Sequence, residues 1–149
     1  MRKLILIAVM MTSIVGHMNS QDKKSPRIPL IGEDAPSFTA NSTNGEINFP
    51  KDFGNSWKII FSHPKDFTPV CSSELLELAQ QQNDYEQLNT KILVLSTDIL
   101  SQHVSWKSAL EEVRYKDRET EKIRFPLIDD SNLTISNQYG MIHPSVNIA

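Results

Sequence analysis

At 149 residues the chain is long enough for one domain with a substantial hydrophobic core. Its 39% hydrophobic and 22% charged residues exclude disordered and fibrous classes. The net charge of −3, or −5 once Arg2 and Lys3 are set aside, provides no basic surface for nucleic acid.

Arg2 and Lys3 precede a nearly continuous apolar run, Leu4 to Val15 (LILIAVMMTSIV), followed by GHMNS up to Ser20. A charged head, an apolar stretch and a small residue near a cut describe a signal peptide over residues 1–20, cleaved near Ser20, against the alternatives of a membrane anchor that is never cleaved and a buried helix. The run is shorter than the ~20 apolar residues that span a bilayer, so no membrane contact is expected after cleavage. The mature chain is then expected to be exported, to a bacterial periplasm or as a secreted protein. Such compartments pair their cysteines, so a lone one is either a free reactive thiol or the partner of something external.

Residues 21–31 (QDKKSPRIPLI) are polar, contain two prolines and read as a flexible lead-in to a domain over 32–149. Residues 37–42 and 46–49 are short strands around a turn whose Asn44-Gly45 favours positive φ. Residues 57–62 (WKIIFS) have strand length, and 91–97 (KILVLST) is rich enough in β-branched residues to be a buried strand. Between them Leu75, Leu78, Ala79, Tyr85 and Leu88 recur at helical spacing, which predicts a helix over 69–88. A second helix is expected over 101–114 with Val104, Trp106, Leu110 and Val113 as its apolar members. Residues 125–128 (FPLI) are strand-like, and 133–139 form a last helix stopped by Gly140. Strands alternating with helices predict an α/β domain with a partly parallel sheet. The sequence ends at Ala149, just after a helix, where one more strand is expected to cover it.

The single cysteine, Cys71, lies in SHPKDFTPVCSSEL, residues 62–75. Thr68 followed by Pro69 marks a helix start: a threonine hydroxyl can cap free N–H groups, and proline suits the first helical position. Cys71 then falls in the first turn, where unpaired N–H groups and the positive end of the helix dipole favour a thiolate over a thiol. By spacing alone this supports a reactive cysteine, against the alternative of a buried, inert one. The four histidines lack metal-ligand spacing, so no metal site is read.

The segment HPKDFTPVCSSEL resembles the active-site segment of the peroxiredoxins, thiol peroxidases on a thioredoxin-like fold, whose signature here is Pro64, Thr68 and Cys71. Gly32 to Phe38, Leu95 to Asp98 and Phe125 to Asp130 resemble further family segments in the same order. His103 with Trp106, and Tyr139 to Pro144, are similar to the branch that uses a single cysteine. The resemblance implies Cys71 as the nucleophile that becomes a sulfenic acid, Thr68 as the holder of the peroxide and Pro64 as a shield. It implies hydrogen peroxide or organic hydroperoxides as substrate, an external thiol as reductant and no cofactor. Homodimers or larger homo-oligomers are common in the family. Glu74 matches an acid that supports a family arginine beyond Ala149, and is otherwise a solvated residue of the first turn. His63 precedes Pro64 as in the one-cysteine branch, and is otherwise a strand-end histidine. Some relatives hydrolyse lipids through a Gly-x-Ser-x-Gly element; Lys58 replaces its last glycine here and Pro50 its histidine, which argues against Ser56 in that role. Because the family's last strands and helix would follow Ala149, the resemblance also implies a domain shortened at its C-terminus. Rival expectations are an inactive, shortened domain with chaperone-like or self-associating behaviour, and a thioredoxin-type disulfide exchanger, which the lack of a Cys-x-x-Cys pair opposes.

Overall fold

The computed structural model describes residues 28–119 and 121–142. The expected signal peptide, most of the lead-in and residues 143–149 lie outside them. Strands β1 (Phe38–Ser42) and β2 (Gly45–Phe49) form an antiparallel hairpin, with Gly45 at φ +96. Strand β3 (Trp57–Ser62) leads through helix α1 (Pro69–Gln87) to β4 (Thr90–Ser96), and helix α2 (Leu100–Leu110) leads to β5 (Leu127–Asp129) and the short helix α3 (Thr134–Gln138). The sheet runs in the order β2-β1-β5-β4-β3, with β3, β4 and β5 parallel and β1 antiparallel to its neighbours. Among the described residues β3 pairs on one side only, so it is an edge strand.

The central strand β4 shows why one sequence builds two cores. Side chains alternate across a strand. Ile92 and Val94 therefore enter a cluster with Leu75, Leu76, Ala79 and Trp106, while Leu93 and Leu95 enter another with Phe38, Phe49, Ile128 and Ile135. A strand buried on both faces reads as a continuous apolar run, which is what KILVL shows. Each of these fully buried aliphatic side chains contributes roughly 1.5–3 kcal/mol relative to exposure. In the second cluster Phe38 stacks on Phe49, with ring centroids 4.9 Å apart, and meets the edge of Tyr139. The Tyr139 hydroxyl donates to Pro36 O at 2.7 Å, and burial pushes its ionisation up to about 12. Gly140, at φ +65, lies so close to Ile28 that a Cβ would stand 2.7 Å from its Cγ1.

Three expectations change. Helix α2 ends at Leu110 instead of running to Arg114, and Val104 and Val113 face water, so only Trp106 and Leu110 of its expected apolar face are core. Strand β5 starts at Leu127, because Phe125 and Pro126 belong to the incoming loop. In α1 the expected apolar Leu88 is 70% exposed, whereas Gln82 is buried. Gln82 Nε2 donates to Lys122 O at 2.7 Å and its Oε1 accepts from Arg124 N–H at 3.0 Å, so a satisfied amide ties α1 to the loop before β5. None of the described helices is long and apolar enough to cross a membrane.

Candidate active site

The backbone delivers Cys71 in three steps. Past the end of β3, His63 N–H still donates to Leu95 O at 3.0 Å, extending the parallel pairing into the loop. The loop then turns at Phe67, which holds φ +58, a region non-glycine residues seldom adopt. Thr68 is extended at φ −84, ψ 143, and Pro69 opens α1, which puts Cys71 at the third helical position. One expectation is corrected: the Thr68 side chain does not cap the helix. Its hydroxyl is turned back into the loop, where it donates to Lys65 O at 3.0 Å, and it is the Thr68 carbonyl that receives the Ser72 N–H at 2.9 Å.

Cys71 is a free thiol, 7% exposed, on the wall of a cavity of about 470 Å³ between α1 and the sheet. Phe61, Leu75, Leu78 and Val94 supply an apolar lining, and Ser62, His63, Glu74, Glu77 and Gln81 join Cys71 as its polar groups. Pro64 lines an adjoining cavity of about 350 Å³ on the other side of His63, with Ser96 and Met141. Thr68 stands three residues before Cys71, outside the wall of the larger cavity. Glu77, at its rim, is held by Lys116 at 3.0 Å and Arg118 at 3.3 Å, and the Lys116 hydrogen bond leads in keeping its carboxyl below the usual range.

His63 is more than a strand-end residue. Its side chain is 8% exposed, its ring lies 5.0 Å from that of Trp106, and its Nε2 is 2.8 Å from Asp66 Oδ1. Its Nδ1 is buried without a hydrogen-bond partner. Asp66 is itself buried, with its second oxygen 2.7 Å from His103 Nδ1, and its N–H donates to Asp98 Oδ2 at 2.6 Å. His103, from α2, is fully buried and donates through Nε2 to Ile128 O at 3.1 Å. Burial alone would push the Asp66 carboxyl up, but the hydrogen bonds and charges of His103 and His63 outweigh it and hold it below the ordinary range. Burial likewise disfavours the His103 cation, and the Asp66 hydrogen bond and charge reverse this, so His103 is raised. Ligand-type atoms of His63, Asp66 and Asp98 lie within 4.8 Å of one another, but each of these groups is engaged in the hydrogen bonds just given. Asp66, Asp98 and His103 were not legible as site residues. The only local signal is the His63/Asp66 spacing of three, while His103 arrives from 37 residues beyond Asp66.

The pattern of the AhpC/TSA family matches residues 31–149. A peroxiredoxin of Methanosarcina mazei is 43% identical over 121 residues, covering 80% of this chain and 55% of the relative. A 1-Cys peroxiredoxin of Dictyostelium discoideum is 41% identical, covering 78% and 46%. Among solved structures, a yeast mitochondrial 1-Cys peroxiredoxin, with its thiol resolved via glutathione and thioredoxin systems, superposes with a TM-score of 0.70 at 34% identity, covering 77% of this chain and 52% of that one. The peroxiredoxin 6 of Arenicola marina gives a TM-score of 0.70 at 31% identity, covering 81% and 54%. The chain thus spans about half the length of the curated relatives it matches. The sheet and helices that carry Cys71 form a thioredoxin-like fold, and with the pattern matched from the residue before Gly32 to Ala149 the chain belongs to the AhpC/TSA family.

Proposed function

We propose that this chain carries the nucleophile of a thiol-dependent peroxidase acting on hydrogen peroxide or an organic hydroperoxide. The observation that supports this most directly is that Cys71 and His63 line one cavity, and that His63 Nδ1 has no hydrogen-bond partner. His63 Nδ1 takes the thiol proton. The sulfur attacks one peroxide oxygen, an S–O bond forms as the O–O bond breaks, and the departing alkoxide or hydroxide leaves with the proton that His63 returns. Cysteine and hydroperoxide thereby become sulfenic acid and alcohol or water, with sulfur oxidised by two electrons and the peroxide reduced by two. General acid–base help of this kind contributes about 10²–10⁴-fold. Free N–H groups at the start of α1 face the charge that develops, and Thr68 and Pro64 position and shield the reacting atoms.

Two external thiols then convert the sulfenic acid to thiol, water and an external disulfide. The chain's resemblance to one-cysteine relatives supports a small-molecule or thioredoxin-type thiol in that step. The protein is proposed to work after export, on the strength of the residue 1–20 pattern, and to form homodimers or larger homo-oligomers as its relatives do.

The decisive experiment is the second-order rate of Cys71 oxidation by hydrogen peroxide, followed by intact mass as the gain of one oxygen. It is run on the full chain and on a form lengthened toward the size of its relatives, with Cys71→Ser as the blank. Oxidation far faster than that of free cysteine in both supports an enzyme complete in these residues. Speed only in the longer form assigns the remaining site groups to added sequence, and slow oxidation in both overturns the peroxidase reading.

A further inference from the structure

We infer that His103, acting through Asp66, is a positioning residue that fixes which nitrogen of His63 carries the proton, so that His63 Nδ1 keeps its lone pair. This rests on the peroxidase reading for its purpose but on hydrogen bonds alone for its geometry.

The argument is an accounting of protons. His103 Nε2 faces the carbonyl of Ile128, which can only accept, so this nitrogen carries a proton. His103 Nδ1 faces the Asp66 carboxylate at 2.7 Å, a distance typical of a charge-assisted bond, so it carries one as well. His103 is therefore an imidazolium held against one carboxylate in a site closed to water. A buried charge is tolerated only with such a partner, and Asp66 has one negative charge to give. The second Asp66 oxygen is left as an acceptor for His63 Nε2–H at 2.8 Å. The remaining nitrogen, Nδ1, then holds a lone pair, and it is the buried atom without a partner on the His63 ring, which itself lines the cavity with Cys71. The ring cannot easily turn to exchange its nitrogens, because Trp106 packs beside it and the Asp66 backbone is hooked to Asp98.

The relay thus spans two segments: α2 supplies the cation, the loop before α1 supplies the carboxylate, and the consequence is felt at His63 Nδ1. Replacing Asp66 by asparagine reverses the polarity, since an amide N–H aimed at His63 Nε2 demands an acceptor there and drives the proton to Nδ1. This change removes the lone pair from Nδ1 without touching His63 or Cys71.

The test reads the protons directly. The full chain, labelled with ¹⁵N in histidine, is examined at neutral pH by long-range ¹H–¹⁵N correlation, with signals assigned from His63→Gln and His103→Gln. The expected result is His63 protonated at Nε2 only and His103 protonated at both nitrogens. Asp66→Asn is expected to move the His63 proton to Nδ1 and to slow Cys71 oxidation by about 10–100-fold, within the range of lost general-base help. A His63 ring protonated at Nδ1 in the unaltered chain, or a neutral His103, overturns the inference whether or not Asp66→Asn folds. So does an Asp66→Asn chain that is slow but keeps the Nε2–H form, since the residue would then be merely structural. Failure of the peroxidase reading appears separately, as slow oxidation of the unaltered chain with the expected tautomer in place.

Discussion

Thr68 shows how a residue recognised from its spacing can act in an unforeseen way. Its proton is committed to Lys65 O, so what its oxygen offers an incoming hydroperoxide is a lone pair. In the proposed reaction Thr68 would then accept from the peroxide O–H, holding the oxygen that sulfur attacks. Thr68→Val keeps the shape and removes both bonds. It is expected to lower stability by about 1 kcal/mol in urea unfolding and to slow Cys71 oxidation by about 100-fold, in the range of a lost positioning hydrogen bond. Thr68→Ser should restore most of both; a valine variant that reacts at the parent rate would remove Thr68 from the site. The motif singled out Cys71, Thr68 and Pro64 because they sit within eight residues of one another. The hydroxyl's direction was not legible, because it depends on the left-handed turn at Phe67, a residue type that gives no warning of positive φ.

At the level of elements, strands were easier to read than helix ends. β3 was bounded correctly from its composition, and β4 within a residue, since a strand buried on both faces, as β4 is, reads as an apolar run. α2 was overextended because Val113 continues the helical spacing, while the chain beyond Leu110 instead folds back so that Glu111 accepts the Ile123 N–H at 3.0 Å. Two buried polar residues do work that no periodicity reveals. Gln82→Leu would fill the same space but orphan Lys122 O and Arg124 N–H, at an expected cost of about 2–4 kcal/mol seen in denaturant midpoints. Asp130, 1% exposed, accepts from Ile135 N–H, Ser136 N–H and the Ser136 hydroxyl, all within 2.8 Å, and so holds the start of α3 from outside the helix. Asp130→Ala is expected to cost more than Gln82→Leu, because three donors lose one charged acceptor, and hydrogen exchange should show α3 opening before the rest of the molecule.

The stability of the whole molecule carries the signature of the buried pair. Asp66 titrates below its ordinary 3.8, so its contribution is present above that value and is lost as pH falls through the lowered folded value. His103 titrates above its ordinary 6.5, so its contribution is complete below that value and is lost as pH rises through the raised folded value. The stability difference between the unaltered chain and Asp66→Asn should therefore be greatest between roughly pH 4 and 6.5 and shrink on both sides. Urea unfolding across pH would show this; a difference that does not vary would mean that the pair is uncharged. A different consequence follows from the contacts between the two ends of the described chain. Gln138 reaches Ser37 O at 2.9 Å, Tyr139 reaches Pro36 O, and Gly140 packs on Ile28, across separations of 101 and 103 residues for the first two. A ribosome adding roughly 5–20 residues per second needs about 5–20 s to make the partners of Pro36 and Ser37 after those residues themselves are made. For that interval the first segment of the domain has no α3 to settle against, and the second core can close only once Tyr139 has been made.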